Sequence, residues 1–132
     1  MGARRLMPAW LSEDWLAASN DVVGLVAADL SMTIQVTVSG LAGGDVRYHR
    51  IFDGGRAVGA AMGAAPDPHV ALTAPADQAR AMARAELDPS VAFMRGQLKT
   101  VGDPAAVLAL LAGWSSQAGL DARLAVAALS DV

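Results

Sequence analysis

Two Asp-Pro pairs, Asp88-Pro89 and Asp103-Pro104, frame the segment that most constrains how this chain can fold. In each pair the aspartate can cap a helix, and the fixed φ of proline suits the first helical turn. Gly96 stands where the helix that starts at Asp88 needs a left-handed residue to end. Gly102 then ends a strand predicted for residues 97–101. The sequence therefore predicts a helix, a strand and a helix with almost no loop between them.

Residues 32–39 alternate between apolar and polar side chains, which predicts a strand with one buried face. The buried face carries Met32, Ile34, Val36 and Val38, and a solvated outer face of this kind suits an antiparallel sheet. Three more strands are predicted over 46–52, 56–62 and 69–73, and Asp53-Gly54-Gly55 is a tight hairpin signal between the first two of these.

Helices are predicted around this sheet. The first begins at an N-cap, Ser12, and its apolar stripe runs on through Val23 and Val26, with Gly24 either ending the helix or lying within it. Others are predicted at about 73–86, 88–95 and 103–113, with one more in the tail, 114–132. The order is helix, four-strand meander, helices, strand, helices, which indicates an α+β fold with one five-stranded sheet and helices on one face.

Length and composition limit the function classes. The 132 residues predict a single domain, 1–132, and the net charge of −3 argues against a nucleic-acid partner. The absence of cysteine excludes disulfides and thiol catalysis. No stretch is long enough to span a bilayer, and no signal peptide is recognisable, so we expect a cytoplasmic protein without stable membrane insertion.

No catalytic motif stands out, and neither a metal nor a cofactor is expected. His49 and His69 fall in separate predicted strands without a partner at metal-ligand spacing, which favours packing or surface roles. The helix at 104–112 is apolar almost all round. Such a helix is typical of a packed core, and it is also compatible with one side lining a ligand cavity.

Residues 92–103, AFMRGQLKTVGD, resemble the signature of the sterol carrier protein type 2 domain. The segment 66–73, PDPHVALT, is similar to a strand of that family, and the segment 11–16, LSEDWL, is similar to the opening of its small stand-alone bacterial members. The resemblance covers a core of about 11–112 and leaves a C-terminal helical extension at 114–132. It implies a mainly antiparallel five-stranded sheet, with helices on one face around an apolar tunnel, and binding of fatty acids, acyl-CoA or sterols without a metal or a catalytic residue.

We therefore predict a carrier of an apolar lipid. The residues expected in the cavity wall come from the inward strand face, the helix before residue 88 and the signature region with its following helix: Ile34, Val36, Val38, Met82, Phe93, Met94, Leu98, Thr100, Val107, Leu110 and Leu111. Thr100 departs from the family pattern, which has an apolar residue there. The tail helix is open to two roles, a lid over the cavity or a homodimer contact.

Two other hypotheses stay open. One is a small pocket enzyme, such as an isomerase or cyclase, which needs a polar group such as Tyr48, His49 or Arg50 inside a closed pocket. The other is an interaction module whose apolar faces serve to dimerise, which predicts a filled core and a large exposed patch.

Overall fold

The computed structural model describes residues 7–22 and 31–132 and shows an α+β fold with one five-stranded sheet. The predicted extension of the first apolar stripe through Val23 and Val26, and the role of Gly24, lie outside the described residues. In chain order the elements are α1 Glu13–Val22, β1 Met32–Ser39, β2 Val46–Asp53, β3 Arg56–Met62, β4 Val70–Pro75, α2 Ala76–Ala83, α3 Pro89–Met94, β5 Lys99–Gly102, α4 Pro104–Ser115 and α5 Gln117–Ala127.

The strand order is β3-β2-β1-β4-β5, which places β1 at the centre of the sheet. All neighbouring strands are antiparallel except β1 and β4, which pair in parallel. The predicted α+β class and the mainly antiparallel sheet are thus confirmed, but the four-strand meander is wrong beyond its third strand. The chain crosses back after β3, because β1 still has an unpaired edge and an apolar face that β4 extends.

The hairpin between β2 and β3 forms where the sequence predicts it. Asp53 pairs with Arg56 across a two-residue turn, and Gly54 and Gly55 have φ of 59° and 82°. Positive φ at both central positions is the type I′ arrangement, whose twist matches that of the flanking strands. The local sequence therefore sets this register without help from distant residues.

The joint between α3 and β5 also forms as predicted. Gly96 has φ of 72°, and its N–H donates to the carbonyl of Phe93. The N–H of Gln97 donates to the carbonyl of Ala92, 2.8 Å away. This pair of bonds is a Schellman ending, which satisfies the last carbonyls of the short helix and turns the chain at once toward β5.

The core lies between one face of the sheet and the helices. Its fully buried side chains include Ile34, Val70, Leu72 and Leu110. The outer face of the sheet is more exposed and carries side chains such as Arg47. Among the described residues, no helix has the length and apolarity needed to cross a bilayer.

Asp88 joins three helices. Its Oδ1 accepts from the N–H of Ser90 at 2.7 Å, which caps α3, and from Ser115 Oγ at 3.0 Å, at the end of α4. Its Oδ2 lies 3.6 Å from a guanidinium nitrogen of Arg123 on α5. Partial burial raises the pKa of Asp88, but the Ser90 and Ser115 hydrogen bonds and the Arg123 cation bring the pKa below the ordinary 3.8. Asp103 caps α4 through a single bond to the N–H of Ala106, at 3.1 Å.

We predict that Asp88→Ala costs more stability than Asp103→Ala. Loss of a cap costs about 1 kcal/mol, and the first substitution also removes the link to α4 and α5. Denaturant unfolding of both variants measures the difference. Because the pKa of Asp88 is lowered by folding, its contribution is present near neutral pH and is lost as pH falls through that lowered pKa. Equal losses for both variants at neutral pH would contradict the prediction.

Candidate functional site

A partly enclosed pocket of about 170 Å³ lies between the inward face of the sheet and the helices. Its wall is mostly apolar, and the side chains come from β1, β2, β4, α2 and α5 and from the segments around α1, α3 and the end of α4. The lining residues are Trp10, Leu11, Trp15, Ile34, Val36, Val38, Tyr48, Arg50, Phe52, Leu72, Ala74, Ala79, Met82, Ala83, Pro89, Leu98, Trp114, Ala122, Arg123 and Val126.

The register of the sheet brings the strand residues of the wall together. Val36 lies opposite Tyr48 on one side and opposite Leu72 on the other, and Ile34 lies opposite Arg50. Paired residues share a face, and alternate residues along a strand point the same way. The floor of the pocket is therefore an apolar strip across three strands, with two polar side chains contributed by β2.

The helical side of the wall is rich in aromatic side chains. All three tryptophans of the chain, Trp10, Trp15 and Trp114, line the pocket. Trp15 meets Tyr48 edge to face, with ring centroids 5.6 Å apart and planes at 79°. This geometry suits the ring quadrupoles and helps to hold α1 against the sheet.

Arg50 is the polar centre of the site. It is only 8% exposed, and its guanidinium carbon lies 5.6 Å from the Trp15 ring centroid and 5.5 Å from that of Tyr48. One terminal nitrogen donates to Ser19 Oγ at 2.6 Å, and the other donates to Asn20 Oδ1 at 3.4 Å. Two aromatic rings and two neutral acceptors on α1 therefore hold this cation in place, and cation–π contacts of this kind are each worth about 0.5–2 kcal/mol.

Burial shifts the pKa of both polar groups from β2. It lowers the pKa of Arg50, and the neighbouring Tyr48 acts in the opposite direction. It raises the pKa of Tyr48, whereas the Arg50 cation lowers it in part. The phenol of Tyr48 is therefore neutral near physiological pH, and it offers the pocket a hydroxyl rather than a charge.

A second arginine, Arg123, lines the pocket from α5 and differs from Arg50 in its partners. Arg123 is paired with Asp88, as described above, and its Nε donates to the carbonyl of Trp114 at 3.3 Å. Its charge is thus compensated inside the protein.

Five of the eleven residues predicted for the cavity wall line the pocket: Ile34, Val36, Val38, Met82 and Leu98. Val107, Leu110 and Leu111 are buried in the core instead, and Thr100 is half-buried opposite Leu72 without reaching the pocket. Phe93 and Met94 lie on the surface, with exposed fractions of 36% and 85%.

The position of α3 explains the two exposed side chains. This helix is only six residues long and buries Pro89 and Ala92. Met94 falls on its opposite side, and Phe93 lies at the margin of the buried side. The pocket is instead closed by Trp15, Trp114 and α5. The alternation of Tyr48, Arg50 and Phe52 along β2 is the signal that would have identified three of the missed residues, because period-two spacing places them on one face.

The histidines take structural positions outside the pocket. The Nδ1 atom of His69 accepts from the N–H of Thr33 at 3.0 Å, and His49 Nδ1 lies 2.9 Å from the carbonyl of Gly63. Across residues 7–22 and 31–132, no group of three or more metal-ligating side chains comes together.

Comparison with known proteins identifies the relatives of this chain. A model of the SCP-2 sterol transfer family matches residues 16–112. No curated protein sequence gives a significant match. The fold is shared with a crystal structure of sterol carrier protein 2, with a TM-score of 0.72 and 21% identity over 86% of this chain and 97% of the other.

Two solution structures give the same result. One, from Thermus thermophilus, has a TM-score of 0.73 at 16% identity and covers 93% of this chain and 95% of the other. The second, palmitated SCP2L2 from Aedes aegypti, has a TM-score of 0.57 at 19% identity, over 79% of this chain and 92% of the other. At these identities the likeness shows a common fold.

The surroundings of Tyr48 predict an altered phenol titration. The chain has one tyrosine, so absorbance follows the ionisation of this phenol alone. We expect a midpoint above 10.0 in the folded protein, and a higher one in Arg50→Met, because the cation that stabilises the phenolate is gone.

The matched control is Arg47→Met, on the outer side of the same strand, where the Nε of Arg47 donates to Thr37. We expect no change of the midpoint in this variant. Circular dichroism at each pH verifies that the fold persists, and a lower midpoint in Arg50→Met than in the unsubstituted protein would show that Arg50 does not act on Tyr48.

Proposed function

Since the chain belongs to the SCP-2 sterol transfer family, we propose that it binds one apolar lipid in the pocket and carries it through the cytoplasm. The candidate ligands are fatty acids, acyl-CoA and sterol-like molecules. The proposal includes no catalytic step and needs no cofactor.

The apolar wall of the pocket is the observation that carries the proposal. An apolar cavity of about 150 Å³ stays dry and takes up small apolar molecules, and this pocket has about 170 Å³. Each Å² of apolar ligand surface removed from water contributes about 25 cal/mol. A hydrocarbon chain can thus be held without an extensive set of polar contacts.

The wall also has the means to admit a larger ligand. Met82 is half-buried at the pocket, and an unbranched methionine side chain adapts its shape readily. The Aedes aegypti relative supports the choice of ligand class, because that protein is described as palmitated.

A second candidate function, a small pocket enzyme, is favoured by one observation. Tyr48 and Arg50 lie in the pocket wall, where a neutral phenol beside a cation is a combination able to polarise a bound carbonyl group. His49 does not share this position, since it is next to Gly63 on the other side of the strand. A carrier releases the bound molecule chemically unchanged, whereas an enzyme changes it.

Lipid binding is tested by extraction and by titration. We expect purified protein to carry co-purified lipid, identified by mass spectrometry, and to bind a fluorescent fatty acid at saturation with one ligand per chain. Absence of both results would refute the carrier proposal. Recovery of the added lipid chemically unchanged after incubation supports carriage, whereas a changed mass or isomer supports the enzyme.

The location of the site is tested by filling it. Ala79 is buried in the wall on α2, and Ala79→Leu places additional carbon atoms in the pocket. We expect about a tenfold or greater loss of affinity for the fluorescent fatty acid, with circular dichroism unchanged. Ala109→Leu, at an exposed position of α4, is the matched control and should bind as the unsubstituted protein does. Equal affinity of the two variants would place the ligand elsewhere.

A further inference from the structure

Arg50 is a buried cation on the wall of an otherwise apolar pocket. Within the described part of the chain, no carboxylate oxygen lies within 4.0 Å of its nitrogens, whereas Arg80, Arg84 and Arg123 each have a carboxylate oxygen within that distance. Arg50 is also the least exposed of these arginines, at 8%. The most buried arginine in the described part of the chain therefore has no anionic partner there.

The groups around Arg50 orient the side chain without cancelling its charge. Ser19 Oγ and Asn20 Oδ1 are neutral acceptors, the Trp15 ring contributes its quadrupole, and the neighbouring Tyr48 is a neutral phenol near physiological pH. A buried cation without an anion is costly, and arginine keeps its proton under nearly all conditions. The cost falls when an anion enters the pocket and accepts hydrogen bonds from the guanidinium.

The contrast with Arg123 indicates that Arg50 is the position at which an anionic group of a ligand binds. Arg123 lines the same pocket, but its charge is compensated by Asp88 at 3.6 Å. None of the lining residues of the pocket is an aspartate or a glutamate. An anionic group of a ligand therefore meets no repelling carboxylate in this wall and can accept from Arg50, which has no carboxylate partner among the described residues.

We propose that Arg50 binds the carboxylate of the ligand, so that the pocket selects a long-chain fatty acid over a neutral lipid of the same length. The inference rests on the proposed function and narrows its ligand class. A planar guanidinium with several donors matches a carboxylate in two-point geometry. The acyl chain then lies against the apolar part of the wall, which includes Val36 and Leu72.

The experiment compares two ligands that differ only at the head group. Palmitic acid and 1-hexadecanol are titrated at concentrations where each is monomeric, and binding is followed by tryptophan fluorescence, since all three tryptophans line the pocket. Butyrate is a third ligand, which offers the carboxylate without the chain. We expect palmitate to bind about 10- to 100-fold more tightly than hexadecanol, and butyrate not to bind over the same range.

Substitutions of Arg50 give the decisive result. Arg50→Met removes the charge and keeps an unbranched, adaptable side chain that fills much of the same space. We expect it to abolish the preference for palmitate over hexadecanol, because the charged partner of the carboxylate is gone. Arg50→Lys keeps the charge but loses the planar guanidinium that can donate at two points, and it should weaken palmitate binding about three- to tenfold. Arg47→Met is the matched control and should retain the full preference.

The outcomes separate this inference from the proposed function. If both long-chain ligands bind but the unsubstituted protein shows no preference for palmitate, the carboxylate assignment is overturned and lipid binding stands. The same conclusion follows if Arg50→Met and Arg50→Lys both retain the preference for palmitate. If neither long-chain ligand binds the unsubstituted protein, both proposals fail. If butyrate binds as tightly as palmitate, Arg50 serves a small organic acid, and selection of a fatty acid is overturned.

Discussion

The central strand β1 imposes the constraint on which the rest of the structure depends. Its inward face is apolar, and its neighbours β2 and β4 extend the same face through Tyr48 and Leu72. One sheet cannot bury this face by itself, so helices must cover it. Large helical side chains such as Trp15 and Trp114 cover part of this face, and the pocket lies where the helices do not contact the strands.

This pocket combines two features that a packed core avoids. Empty apolar space forfeits dispersion contacts with the atoms that line it, and a buried guanidinium forfeits its hydration. Arg50 is nevertheless held in a defined position by Ser19, Trp15 and Tyr48. A polar group that is oriented before any ligand arrives loses less freedom when the ligand binds. Under the proposed function, this arrangement suits a molecule with an apolar body and one polar end.

Short-range sequence patterns predict the helices and strands well, but they do not predict which strands pair or which side of a helix faces the pocket. The bounds of β1 and β3 and the starts of the helices at Asp88 and Asp103 agree with the sequence, because alternation and capping act within a few residues. The pairing of β4 with β1 joins residues that are far apart in the chain, so no short sequence pattern predicts it. For the same reason the apolar pattern of α4 does not indicate which side faces the pocket, and the apolar character of Phe93 does not indicate that it lies on the surface.

The strand order also bears on how the chain reaches its fold. Strands β1, β2 and β3 are joined by short connections, so their pairing closes only small loops. The pairing of β1 with β4 brings Ile34 next to Val70, across the whole hairpin region. Closing a longer loop costs more chain entropy, so we expect this pairing to form after the two hairpin pairings. Until the pairing with β4 forms, β1 is an edge strand with an apolar face, which is the stage at which two copies of the chain are most prone to associate.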